Sequence, residues 1–243
     1  MNTDAEKLKD KRALVTGATG GIGLAIVETL VNAGVKVIAQ GRSSEKLNEL
    51  SKKHPSIKTE MADLRMVGQV EGLAHMAMEH YGGLDILINN AGMNAGNNVI
   101  DLDIATFDEI LCVNLRAVFI LSKLIGKAMV NQKDGYIINI GSGASTTPIA
   151  GMATYCASKH GLLGFSESLA LELRSSGVKV SMILPGSTAT GFNDFDPDDK
   201  ISAKPGILMP EDIAETVMYL LNQSKRAWAS QVTLRPLDPK QAF

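Results

Sequence analysis

Cysteine is nearly missing from this 243-residue chain, which holds only Cys112 and Cys156. Two thiols cannot staple a domain of this size or build a cysteine-rich metal centre, and so sparse a use of cysteine points to a reducing compartment. Aromatic residues are scarce as well, at 5%. Charge of one sign is absent, because 24 basic residues face 26 acidic ones and leave a formal net charge of −2. A chain so balanced has no electrostatic case for wrapping nucleic acid or docking on an anionic membrane, since both need a strong positive field. No apolar run approaches the roughly 18 residues that a membrane span requires, and the opening MNTDAEKLKDKR is polar where a signal peptide would be apolar. A soluble, cytoplasmic protein acting on a small molecule is therefore expected. Repeats and low-complexity segments are missing too, which removes solenoids and arrays. The four histidines, His54, His75, His80 and His160, show no convergent ligand spacing, so no metal site is expected.

What is present is a 45% hydrophobic composition, enough for a full core, and 23 glycines. Short β-branched runs alternate with longer segments of helical period. Strands are predicted at Arg12 to Thr16, Lys36 to Gln40, Ile57 to Met61, Asp85 to Asn89, Gly135 to Ile140, Lys179 to Leu184 and Gln231 to Leu234. Helices are predicted at Gly21 to Ala33, Ser44 to Lys53, Met66 to Tyr81, Ile104 to Val130, Thr154 to Ser176 and Pro210 to Asn222. Strict β-α alternation implies a doubly wound α/β fold: a parallel seven-stranded sheet with helices on both faces. With no break in composition, residues 1–243 read as one domain. The stretch from Gly186 to Gly206, with Phe192, Phe195 and the aspartates 194, 196, 198 and 199, has no clear period and is expected to form a lid over a site, near residues 187–206.

Directly after the first predicted strand comes T-G-A-T-G-G-I-G, Thr16 to Gly23, opening into a helix. Glycines are needed there because a side chain would keep the backbone from a pyrophosphate, and a helix N-terminus offers free N–H groups to the anion. The spacing at Gly17, Gly21 and Gly23 is one residue off the general dinucleotide fingerprint, and no Gly-Lys-Ser or Gly-Lys-Thr follows, which disfavours an ATPase. The second strand ends Gln40-Gly41-Arg42-Ser43, with no carboxylate until Glu45 to take the ribose hydroxyls of NAD(H). Arg42 suits a 2′-phosphate, so NADP(H) is preferred and NAD(H) is the alternative.

Tyr155 and Lys159 lie four apart in a predicted helix and share a face. An adjacent ammonium stabilises a phenolate, which makes Tyr155 a candidate proton donor to a carbonyl. Ser142, at the end of the strand I-I-N-I-G-S, faces the same crevice beyond the carboxyl ends of the strands. No G-x-S-x-G elbow marks a hydrolase, and Cys156 has no histidine partner in view and reads as packing.

Together these residues resemble the short-chain dehydrogenase/reductase family over nearly the whole chain. The matching pieces are the Thr16 to Gly23 loop, Asp63 in A-D-L, Asn89-Asn90-Ala91-Gly92, Asn114 in V-N-L, Ser142, Tyr155, Lys159, and Pro185-Gly186 with Thr188 and Thr190. The resemblance implies that Tyr155 is the acid/base and that Lys159 holds the nicotinamide ribose. It implies that Ser142 binds the substrate oxygen, and that Asn114 sits in a helix irregularity and holds a relay water. Cofactor contacts are then implied from Gly17, Thr19, Gly20, Gly21, Ile22, Gly23, Arg42 and Ser43. Asp63 and Leu64 would meet the adenine, Asn90, Ala91 and Gly92 would lie beneath the cofactor, and Pro185, Gly186, Thr188 and Thr190 would lie by the carboxamide. The implied activity is an NADP(H)-dependent carbonyl reductase or alcohol dehydrogenase in a homotetramer or homodimer. Members acting on 3-oxoacyl carriers resemble it in general, with Lys133 and Arg174 as basic contacts. A non-enzymatic dinucleotide sensor and an NAD-dependent hydroxy-acid or polyol dehydrogenase are the competing readings.

Overall fold

The computed structural model describes residues 7–96, 98–190 and 207–237. The expected lid aspartates and phenylalanines fall in 191–206, outside the described residues. The elements run β1 (Arg12–Val15), α1 (Gly21–Asn32), β2 (Lys36–Gly41), α2 (Ser44–Lys53), β3 (Lys58–Met61), α3 (Val67–Tyr81) and β4 (Ile86–Asn89). They continue α4 (Ile104–Leu111), α5 (Ala117–Gln132), β5 (Gly135–Ile140), α6 (Ala153–Leu173), β6 (Val178–Pro185), α7 (Pro210–Leu221) and β7 (Gln231–Leu234). The strands form one seven-stranded sheet in the order β3-β2-β1-β4-β5-β6-β7, and every pairing is parallel. The chain winds outward from β1 to β3, then returns to place β4 on the other side of β1. That reversal opens a crevice at the carboxyl ends of β1 and β4.

Alternation along each strand divides the core. Val15, Val37, Ile88 and Ile138 face one side, where Ile26 and Leu30 of α1 and Ile213 and Val217 of α7 cover them. Their neighbours Leu14, Ile38, Leu87 and Ile137 face the other, under Val70 and Leu73 of α3 and Leu121 and Ile125 of α5. Burial on both faces explains why these strands read as apolar almost throughout. Each side chain of this size contributes about 1.5–3 kcal/mol by leaving water.

Local signals place the helix ends. Ser43 caps α2, its Oγ accepting from the Lys46 N–H at 3.2 Å, with Glu45 in the first turn and Lys52 and Lys53 in the last. Asp103 caps α4 through the Thr106 N–H at 2.7 Å. Gly82 ends α3 in the left-handed conformation, φ +69°.

One helix departs from the expected continuous 104–130. Cys112–Arg116 form a π turn between α4 and α5, in which Asn114 is completely buried. Such a turn inserts a residue into the helical register and is common at functional sites. Here it carries Asn114 inward to polar partners that lie far away in sequence.

Candidate active site

The loop after β1 is built for close approach. Gly17 and Gly21 have φ of +63° and +50°. A Cβ on Gly17 would lie 2.9 Å from Ala91 Cα, and one on Gly23 would fall onto the Gly17 carbonyl oxygen. Gly20, extended and exposed, has open space around it. Helix α1 begins there with no side-chain cap and no acidic residue in its first turn, so its N-terminal N–H groups and positive dipole end suit an anion. This cradle fits a dinucleotide pyrophosphate. Ile22 begins the helix half-buried, and Thr19 packs its methyl against Gly41.

Two side chains, the half-buried Asn90 and the buried Gln40, hold the loop. Asn90 donates from Nδ2 to the Thr16 and Gly17 carbonyls at 2.9 and 3.2 Å, while the Asn90 and Ala91 N–H groups donate to Thr16 Oγ1 at 3.0 and 3.1 Å. Gln40 accepts from the Gly17 N–H at 3.0 Å and donates to the Ala62 carbonyl at 2.7 Å, tying together the exits of β1, β2 and β3. Sequence reasoning assigned Gln40 no role. Its signal was a polar residue interrupting the apolar run of β2. Gly92 continues the strand exit beside Asn90 and Ala91, half-buried.

At the ends of β2 and β3, Arg42, Ser43, Met61, Asp63, Arg65 and Gln69 line a shallow hollow. Leu64 is buried beside it. Arg65, also missed from sequence, pairs with Asp63. Its guanidinium holds the Asp63 carboxyl below the usual carboxylate range, with a smaller contribution from Arg42 through space.

On the other side of the crevice, β5 delivers Ser142 and α6 delivers Tyr155 and Lys159. Ser142 Oγ accepts from the Ala144 N–H at 3.1 Å, and Ser145 Oγ accepts from the Ser142 N–H at 3.2 Å, which fixes the turn. Ser142 also hydrogen-bonds the Tyr155 phenol. Lys159 is 3% exposed. Its Nζ donates to the Ile140 carbonyl at 2.9 Å and lies 5.7 Å from the centre of the Tyr155 ring. The three side chains expected to act together are thus adjacent.

Their electrostatics differ from the simple expectation that the ammonium lowers the phenol. Burial pushes the Tyr155 phenol up, and the Ser142 hydrogen bond pulls it back only in part. Burial also pushes Lys159 down to about 8. Both shifts favour the uncharged form, as a low-dielectric site requires.

Asn114 Oδ1 accepts from the Met93 N–H at 2.8 Å, and Nδ2 donates to the Met93 carbonyl and to Ser158 Oγ, both at 2.9 Å. Ser158 in turn donates to the Tyr155 carbonyl at 2.7 Å. The Asn114 amide therefore ties the π turn to the β4 exit and, through Ser158, to the turn of α6 that bears Tyr155.

Beyond β6, Pro185 pairs with Leu234, and a Cβ on Gly186 would lie 2.8 Å from Pro236 Cδ, so packing against the β7 exit is what requires that glycine. Thr188 and Thr190, both expected by the carboxamide, make different contacts. Thr188 Oγ1 donates to the Gly186 carbonyl at 3.0 Å, and the Thr190 methyl would sit 3.1 Å from a Cβ on Gly21, against the pyrophosphate loop. Lys133 and Arg174 flank the starts of β5 and β6, at the opposite edge of the sheet from Ser142. Cys156 is buried, its Sγ 4.0 Å from the Thr147 carbonyl, as packing predicts.

Among the described residues, no helix is long and apolar enough to cross a membrane. The sequence profile of the short chain dehydrogenases matches residues 11–200. An uncharacterized oxidoreductase of Staphylococcus aureus (strain MRSA252) is 34% identical over 233 residues, 95% of this chain and 99% of its own. A metagenomic short-chain oxidoreductase, crystallised in complex with NADP, superposes with a TM-score of 0.83 at 33% identity, over 95% of this chain and 98% of that one. A short-chain dehydrogenase from Streptomyces avermitilis gives 0.82 at 25% identity, over 93% and 88%.

Proposed function

The chain belongs to the short-chain dehydrogenase/reductase family, and on that premise we propose that it is an NADP(H)-dependent oxidoreductase interconverting a carbonyl and a secondary alcohol, with Tyr155 as acid/base. The observation that carries this reading is the contiguous Ser142, Tyr155 and Lys159 set beside a glycine cradle that a Cβ would fill. Thr19 to Gly23 would hold the pyrophosphate, Asp63 and Leu64 the adenosine, and Arg42 with Ser43 a 2′-phosphate. When bound, the nicotinamide supplies or accepts the hydride at the carbonyl carbon.

The protein's own groups manage the oxygen. Ser142 and Tyr155 both donate hydrogen bonds to it, and this stabilises the alkoxide character that develops in the transition state. Tyr155 passes its proton to the oxygen, giving the alcohol. Because burial keeps the phenol protonated at neutral pH, it is in the correct form for reduction. In the oxidative direction Tyr155 must accept the proton, and the Lys159 ammonium would stabilise the phenolate that receives it. Asn114 holds Ser158, and through it the turn bearing Tyr155, so that the phenol stays in place.

The NADP-bound relative and the exposed Arg42 favour NADP(H) over NAD(H). Tyr155→Phe tests the chemistry. It should lower NADPH oxidation across a panel of ketones, aldehydes and 3-oxo esters by about 10²–10⁴, the usual contribution of general acid catalysis. The NADPH thermal shift should persist in the variant. Turnover at the wild-type rate would refute the role of the phenol.

We further propose assembly through α4, α5 and α6. Phe107 and Phe119 are exposed, and Phe119 meets Phe165 edge-on, ring centres 6.1 Å apart. Leu111, Leu115, Phe119 and Phe165 line a largely apolar groove there, and such a groove suits a second copy, in a homodimer or homotetramer.

A further inference from the structure

Five charged side chains converge where β2 and β3 end. Arg42 stands exposed, and among the described residues no carboxylate lies within ion-pairing distance of it. Asp63 lines the same hollow, yet its carboxylate is turned to Arg65. Oδ1 accepts from Arg65 Nε at 3.0 Å and from the Arg65 N–H at 2.9 Å, while Oδ2 accepts from Nη2 at 2.7 Å. The remaining branch of Arg65, Nη1, donates to Glu109 Oε1 on α4 at 2.8 Å. Arg116 Nη2 anchors the backbone by donating to the Arg65 carbonyl at 2.6 Å. The guanidinium is thus fixed in a two-pronged grip on Asp63, the strongest geometry available to such a pair.

This arrangement resolves a conflict within the hollow. Asp63 at the adenosine end is a negative charge beside the place where a 2′-phosphate would bring about two more. Unpaired, it would repel that phosphate and compete for Arg42, to which it is already coupled through space. Paired with Arg65, its charge is offset and its carboxylate is held by a partner other than Arg42. We propose that Arg65 is a specificity-determining residue that sequesters Asp63, keeping Arg42 open for a 2′-phosphate and so setting the preference for NADP(H). The inference rests on the cofactor reading given above.

The test measures binding alone, using adenosine 2′,5′-bisphosphate and 5′-AMP as probes in calorimetry on the full chain at low salt, where exposed charges act most strongly. Wild type should bind the bisphosphate at least tenfold more tightly than AMP. Arg65→Gln should reduce that ratio at least fivefold while leaving AMP affinity within about twofold. Adding Asp63→Asn to Arg65→Gln should restore the ratio. A structural tether to α4 would not respond to that second change. Should Arg65→Gln not fold, Asp63→Asn alone serves. It leaves two arginines and no neighbouring carboxylate partner for Arg65 but Glu109, and should raise the ratio.

An unchanged ratio in a folded Arg65→Gln, or no recovery in the double variant, overturns the inference while leaving Arg42 as a phosphate ligand. A fall in the ratio for Asp63→Asn alone overturns it equally. Absence of any preference in wild type overturns the cofactor reading itself, and the inference with it.

Discussion

Replacing Lys159 by methionine should stabilise the cofactor-free protein, because the wild-type chain bears the cost of a buried ammonium. Burial lowers the Lys159 pKa from the ordinary lysine value of 10.5 to about 8. Each tenfold loss of proton affinity corresponds to about 1.4 kcal/mol, so at pH 7, where both states are protonated, the folded state carries a cost of about 3 kcal/mol. The sign follows from linkage. Between pH 8 and 10.5 the unfolded chain binds the proton and the folded chain does not, so wild-type stability gains on the variant as pH rises, and the cost is about half as large by pH 9.5. Against this, Lys159→Met loses the hydrogen bond to the Ile140 carbonyl, about 1 kcal/mol. The net expectation is a variant more stable by about 2 kcal/mol at pH 7, with an advantage that nearly vanishes by about pH 9.5. Urea unfolding followed through the single tryptophan, Trp228, which is half-buried and donates to the Val180 carbonyl at 2.8 Å, measures both quantities. Equal protein concentration across samples keeps assembly constant. A stability difference that does not change between pH 7 and about 9.5 would show that the ammonium is not desolvated as described. The same variant should lose turnover, an exchange of stability for function that active sites commonly show.

Gly23→Ala should lower stability by about 2–3 kcal/mol, since its methyl lands on the Gly17 carbonyl oxygen, and should abolish the NADPH thermal shift. Gly20→Ala, three positions earlier and surrounded by open space, should leave the melting temperature unchanged and serves as the control. Phe119→Glu should place a charge in the groove between α5 and α6 and split the assembly, read as a lower mass by light scattering after gel filtration. An unchanged mass would move the interface elsewhere.

The sheet was legible because its strands obey a local rule. Burial on two faces makes them apolar throughout, and the helices between them carry caps and periods of their own. Ser142, Tyr155 and Lys159 were legible for a related reason. In this topology the residues at strand ends and on the first turns of α6 must share one crevice, so spacing alone brings them together. The π turn was not legible from the period of the chain, although the family resemblance placed Asn114 in a helix irregularity, as found. Apolar residues keep their helical period straight through 104–130, and the break is set by the Asn114 amide, whose partners Met93 and Ser158 lie 21 and 44 residues away. Gln40 and Arg65 escaped for the same reason. Gln40 is polar in an apolar strand until Gly17 and Ala62 are seen beside it, and Arg65 looks like a surface charge until Asp63 and Glu109 close on it.

By itself the sequence determined the alternation of strands and helices, the glycine cradle that lets backbone approach an anion, and the choice of Ser142, Tyr155 and Lys159 as candidates, because each depends on residue type and local spacing. The tertiary structure decided how readily those side chains take up or lose charge. Spacing put an ammonium next to a phenol and promised a depressed phenol. The closed fold instead removes both from water, so burial raises Tyr155 and lowers Lys159. Desolvation depends on everything packed around a group, and no sequence interval encodes it.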